Sequence, residues 1–191
     1  MGDSSPAMAS TRARRKHAEL IDGNTSTGNP VADRKILLAL EGMPNHTKYQ
    51  FLAEFPSGNK MLLAEFLNDF MTRENIAVNT KRVYIHNLLY LSRSLNHKAF
   101  KEITRDDVMT YLQTLRRPLS VDASQKWIAT HNNRLAIYQK FFKWLSYPDL
   151  SAKERLTPEV VRDLPQLKRK ERNSSPTPLL NTTYHSMKIS Y

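Results

Sequence analysis

From Asn59 to Ser146 apolar residues recur at intervals of three and four, and in no stretch do they alternate. That spacing gathers them on one face of an α-helix and argues against strands. In NKMLLAEFLNDFMTREN, which starts at Asn59, the apolar positions are 62/63, 66/67 and 70, with Asn59 as the expected N-cap. In NTKRVYIHNLLYLSRSLN (79–96), Tyr84, Leu88, Leu91 and Leu95 form the stripe. ITRDDVMTYLQTLRRP places Thr104 and Asp107 at capping-box spacing ahead of Val108, Tyr111, Leu112 and Leu115, and Pro118 ends the element. The last stretch, Ala123–Ser146, carries Ile128, His131, Leu135, Tyr138, Phe142 and Leu145, widened by Trp127, Phe141 and Trp144. Four such helices joined by short loops predict an all-α domain.

The flanks are less regular. Residues 1–30 are rich in Ser, Thr, Gly and Asn, with a basic cluster at 12–16, and read as a disordered arm. Residues 31–58 read as a short helix over 33–42, stopped by Gly42 and Pro44, then a loop holding Pro44, Pro56 and Gly58. The helical domain spans 59–147. A linker, 148–172, holds one short helix, with Thr157 as its cap and Pro158 at its first position, and then a basic run. Residues 173–191 have no periodicity and read as a disordered tail.

Several function classes are set aside at once. The chain has no cysteine, which removes disulfides and Cys-type zinc sites. Its six histidines are scattered without metal-ligand spacing, so no metal and no cofactor is expected. No apolar run approaches the ~20 residues of a membrane span, and no secretory h-region follows the first Met. Pro6 stands where N-myristoylation wants Ser or Thr. The expectation is a cytoplasmic protein with no membrane partner.

Charge points the other way, toward a polyanion. The 29 basic and 18 acidic side chains leave a net charge of +11. Residues 59–147 hold 14 basic and 7 acidic groups, so most of the excess lies on the segment that folds. Helices with an apolar inner face and an outer face of Lys, Arg, Asn, Thr and His suit the DNA major groove. Cations neutralise phosphates, and amides and guanidinium groups read base edges. On the second helix the candidate DNA-binding residues are Asn79, Thr80, Lys81, Arg82, His86 and Asn87. On the fourth they are Lys126, Thr130, Asn133, Arg134 and Lys140, and in the basic run Lys168, Arg169, Lys170 and Arg172.

His131 and Arg134 form an H-x-x-R inside the fourth helix. His131 falls on the apolar stripe and Arg134 beside it, so the pair reads as packing and surface rather than catalysis. No catalytic residue is expected.

NTKRVYxxxLxxL, FKEITRDDVxxYL and RLAIYQKFFKWL, in that order, resemble the core-binding domain of tyrosine recombinases, the phage integrases and chromosome-dimer resolvases. The likeness covers 59–172 and looks closest to archaeal integrase-type proteins, where a segment similar to PEVVRDLPQLKRKER leads toward the catalytic domain. It implies a four-to-five-helix orthogonal bundle of SAM-like type, with disordered tails, that clamps one face of a DNA duplex. In that family a separate C-terminal domain cuts, with a tyrosine nucleophile, two arginines, a lysine and His or Trp residues. The 19 residues after Arg172 match none of these, and Tyr184 and Tyr191 are poor nucleophile candidates. The expectation is therefore a duplex-DNA-binding module serving integration or site-specific recombination, without its own catalytic site. Its alternatives are the clamp half of an active recombinase completed in trans, with a recombinase catalytic domain or other protomers as the partner, and a helical protein-interaction module.

Overall fold

Thr104 opens a helix as its sequence requires. Its hydroxyl accepts from the Asp107 backbone N–H while the Asp107 carboxylate accepts from the Thr104 N–H, at 3.3 and 2.9 Å. The computed structural model of the protein describes residues 29–74 and 76–168. The arm, the 12–16 cluster, the 173–191 tail and the candidates Arg169, Lys170 and Arg172 lie outside the described residues.

Six helices follow in order among these residues, with no strand: α1 Pro30–Ala39, α2 Asn45–Glu54, α3 Ser57–Glu74, α4 Val78–Ser94, α5 Arg105–Thr114 and α6 Lys126–Ser146. Short 3₁₀ turns lie at Phe100–Glu102 and Glu159–Val161. The fold is all-α, as the periodicity predicts.

The core is aromatic at its centre. Phe66 on α3 meets Phe141 on α6 edge-on at 5.3 Å between centroids, Trp144 at 5.4 Å and Tyr84 on α4 at 5.6 Å. Each such pair adds about 0.5–1.5 kcal/mol beyond the area it buries. Tyr138 is fully buried, and its hydroxyl donates to the Asn87 carbonyl at 3.1 Å, tying α6 to α4.

Several expectations need correction. α1 starts at Pro30, because Asn29 accepts from the N–H groups of Val31 and Ala32 and proline pre-sets the first turn. Residues read as loop form α2, whose Thr47, Phe51 and Leu52 are buried. Asn59 caps nothing. It lies inside α3 at 2% exposure, accepts from the Phe100 N–H at 2.9 Å and donates to the Lys98 carbonyl at 3.0 Å. Thr157 is not a cap either, since the 3₁₀ turn follows Pro158 with no side-chain hydrogen bond. Gly42 does what the sequence asks: its φ of +73° turns the chain beside Val78, whose Cγ2 lies 3.1 Å from where a Cβ would be.

The segment read as a linker packs on the bundle as far as Lys168. Val161 and Leu164 are buried. Arg155 donates to the Tyr147 carbonyl at 3.0 Å and pairs with Asp69 at 3.3 Å, and Asp69 also accepts from the Trp144 indole at 3.0 Å. Asn132 on α6 exchanges two hydrogen bonds with the Leu167 backbone, at 2.8 and 2.9 Å.

Candidate nucleic-acid interface

α4 and α6 leave a shallow groove between them of about 530 Å³. α4 supplies Asn79, Thr80, Arg82, Val83 and Tyr84, and α6 supplies Asn133, Ala136, Ile137 and Lys140. Two adjacent apolar stripes bury these helices side by side, so their outer rows converge along one seam. The residues meeting there come from distant parts of the chain, with α5 between them in sequence.

Arg82 has no ion pair among the described residues. The Lys140 ammonium lies 2.6 Å from the Glu74 carboxylate and 3.9 Å over the Phe70 ring. Pairs this exposed contribute about 0–1 kcal/mol, so a phosphate can displace Glu74 cheaply. Asn79 and Asn133 are exposed amides able to donate and accept. Arg93 and Lys98 are engaged outside the groove, with Glu54 at 2.5 Å and Asp107 at 2.7 Å.

Residues 62–152 match the family model for the phage integrase N-terminal SAM-like domain. This segment is similar to the phage-integrase SAM-like domain. No curated protein and no solved structure matches the chain. The match begins inside α3 and ends just beyond α6, so it takes in both walls of the groove.

The matched segment brings five of the sequence candidates into one groove: Asn79, Thr80, Arg82, Asn133 and Lys140. Lys126 and Thr130 are exposed on α6 ahead of Asn133. Other candidates lie elsewhere. Lys81 is fully buried, and its ammonium donates to the carbonyls of Ala39 and Glu41 at 3.3 and 3.1 Å. Burial lowers its pKa, with Glu41 opposing. It shares a helix face with the buried Ile85 four residues on, so it cannot reach a duplex. His86 faces His46 on α2 at 6.3 Å between centroids, with its Nε2 buried and unpartnered among the described residues. Burial first, then His46, Arg82 and Arg93, hold its pKa below the ordinary value. Asn87 turns its amide back to the Val83 carbonyl at 2.7 Å.

Arg134 is half-buried. Its guanidinium donates to the Tyr111 hydroxyl and lies 4.9 Å over the Tyr90 ring. His131 is 5% exposed and stands perpendicular to Trp127. The H-x-x-R pair is thus engaged in packing on the α6 surface. Lys168 stands apart from the groove, beside Arg116 and Arg117. Sequence reasoning passed over those two arginines, Trp127 as a surface group, and Asn132. The arginines carried a visible signal, an adjacent basic pair before Pro118. Asn132 carried none, since its partner is 35 residues away.

Among the described residues no cluster of His, Cys, Asp and Glu is arranged to hold a metal ion, and no helix is long and apolar enough to cross a membrane.

Proposed function

We propose that this SAM-like domain grips duplex DNA along the α4–α6 groove and serves DNA integration or site-specific recombination as a recognition module. The observation that carries this reading is the groove itself. Two helices far apart in sequence set Arg82 and Lys140 on one seam with the amides of Asn79 and Asn133. Cations there meet phosphates, and amides meet base edges. The domain holds DNA rather than cutting it, and strand cleavage belongs to a catalytic domain in cis or in trans. The engagement of His131 and Arg134 in packing supports this assignment.

The test is duplex binding measured by anisotropy across a salt series. Affinity falls steeply with salt, and Arg82→Gln with Lys140→Gln flattens the log–log slope by about 0.9 for each phosphate that is no longer neutralised. A slope unchanged by the double variant, or affinity indifferent to salt, defeats the groove. A protein-binding reading draws on one observation, the exposed Val31, Leu37 and Leu38 on α1. Charged substitutions there leave duplex affinity untouched if the groove is the interface.

A further inference from the structure

A second cavity, of about 260 Å³, lies between the α5–α6 loop, the first turn of α6 and the exit segment, and shares no residue with the groove. Trp127, Ile128 and Leu167 form its apolar wall, and Arg116, Arg117 and Lys168 stand around it. None of its lining residues is acidic, and none of the three cations has an ion pair among the described residues.

Specific interactions build this cavity. Asp122 accepts from the Trp127 backbone N–H at 3.1 Å and so sets the indole at the start of α6. The buried His131 imidazole, 86° to the indole and 6.4 Å away, supports it from behind the first turn. The paired hydrogen bonds of Asn132 hold Leu167 in the wall, and with it Lys168. Gln125, also lining the cavity, sits at φ +52°, a left-handed conformation that costs a non-glycine residue energy and that concentrates at functional sites.

An aromatic surface among unpaired cations is the chemistry that receives single-stranded nucleic acid: bases stack on the ring and phosphates meet the charges. An inorganic anion would have no use for the apolar wall. The volume sits just under the roughly 300–1,000 Å³ of ordinary ligand sites, which suits one nucleotide. We propose that this cavity takes one nucleotide of a single-stranded DNA segment, its base against Trp127 and its phosphates on Arg116, Arg117 and Lys168. The choice of DNA as the polyanion rests on the duplex-gripping reading, whereas the cavity itself stands apart from the groove. With a single amide, that of Gln125, near the base, the site reads sequence weakly.

The experiment uses the full chain and three probes: a blunt duplex, the same duplex with a short dT overhang, and oligo-dT alone. Anisotropy gives affinity, and tryptophan emission reports Trp127, because the other tryptophan, Trp144, is buried. The overhang duplex binds about tenfold tighter than the blunt one, a modest value for one stacked base, and quenches emission. Trp127→Ala abolishes the preference, and so does Arg116→Gln with Arg117→Gln, whose side chains are exposed enough to leave folding intact. Both variants keep blunt-duplex affinity within twofold. Arg82→Gln weakens both duplexes equally. Equal wild-type affinity for blunt and overhang probes overturns the proposal. So does a preference that survives Trp127→Ala, or a loss of blunt binding in the double-arginine variant as large as the loss of overhang binding. If oligo-dT quenches Trp127 while the blunt duplex does not bind, the groove falls and the cavity stands.

Discussion

The Lys81 ammonium donates to the Ala39 carbonyl at 3.3 Å and to the Glu41 carbonyl at 3.1 Å, with no exposed surface of its own. A cation at a helix C-terminus satisfies carbonyls that have no intrahelical partner and meets the negative end of the dipole. Lys81 therefore fastens α1 to α4.

Lys81→Ala leaves both carbonyls without this donor and opens a cavity. The expected loss of stability is about 2–4 kcal/mol by urea denaturation. Lys81→Met fills the space without the donors and recovers part of it. Duplex affinity of the folded fraction stays unchanged, in contrast to Arg82→Ala. A loss of affinity in Lys81→Met at a temperature where it is fully folded would return Lys81 to the interface.

Asn132 pins the exit segment, so Asn132→Ala exposes the Leu167 N–H and carbonyl to solvent. Amide hydrogen exchange at Leu167 accelerates, and stability falls by about 1–2 kcal/mol, the scale of two modest hydrogen bonds. Asn132→Asp retains the acceptor for the Leu167 N–H but loses the donor, and falls between the two. Unchanged exchange at Leu167 contradicts this role.

Burial, with Glu74 adding to it, pushes the Tyr84 phenol from 10.0 up to about 12. The folded state then keeps a proton that the unfolded chain releases from pH 10. Its share of stability is complete below pH 10 and is lost as pH rises from 10 toward 12, about 2–3 kcal/mol in all. Tyr111 and Tyr138 are raised too, chiefly by burial, and act with the same sign. Tyr84→Phe makes the alkaline fall shallower than in wild type. Urea midpoints at pH 9 and pH 11 for the two proteins measure the difference, and identical falls refute it.

Asp107 accepts from Lys98 at 2.7 Å while closing the capping box, and these bonds, Lys98 first, hold its carboxyl below the ordinary 3.8. Its folded pKa is depressed, so its contribution is present above pH 3.8 and lost as pH falls through the lower folded value. Thr104→Ala costs about 1 kcal/mol at neutral pH. Lys98→Met leaves the box but raises the Asp107 pKa toward the ordinary value, visible in its carboxyl NMR titration. An unmoved titration shows that Lys98 has no part in the shift.

α3 through α6 were legible in the chain because their causes are local. Apolar spacing and the Thr104–Asp107 box each act within one or two helical turns. The α4 and α6 rows that meet in the groove were legible for the same reason, since the stripes that orient them are local too. α2 escaped because its flanking prolines read as loop, and its buried Thr47, Phe51 and Leu52 make too short a pattern to offset them.

The fate of individual polar residues was settled only by the assembled bundle. Asn59, Lys81 and Asn132 look like surface groups because their side chains are polar, yet each serves backbone atoms 35 to 42 residues away. A helical repeat states which angle a residue occupies on its own rod. It does not state which neighbour will stand there with an unsatisfied carbonyl, and that requirement decides whether a lysine goes to the core or to solvent.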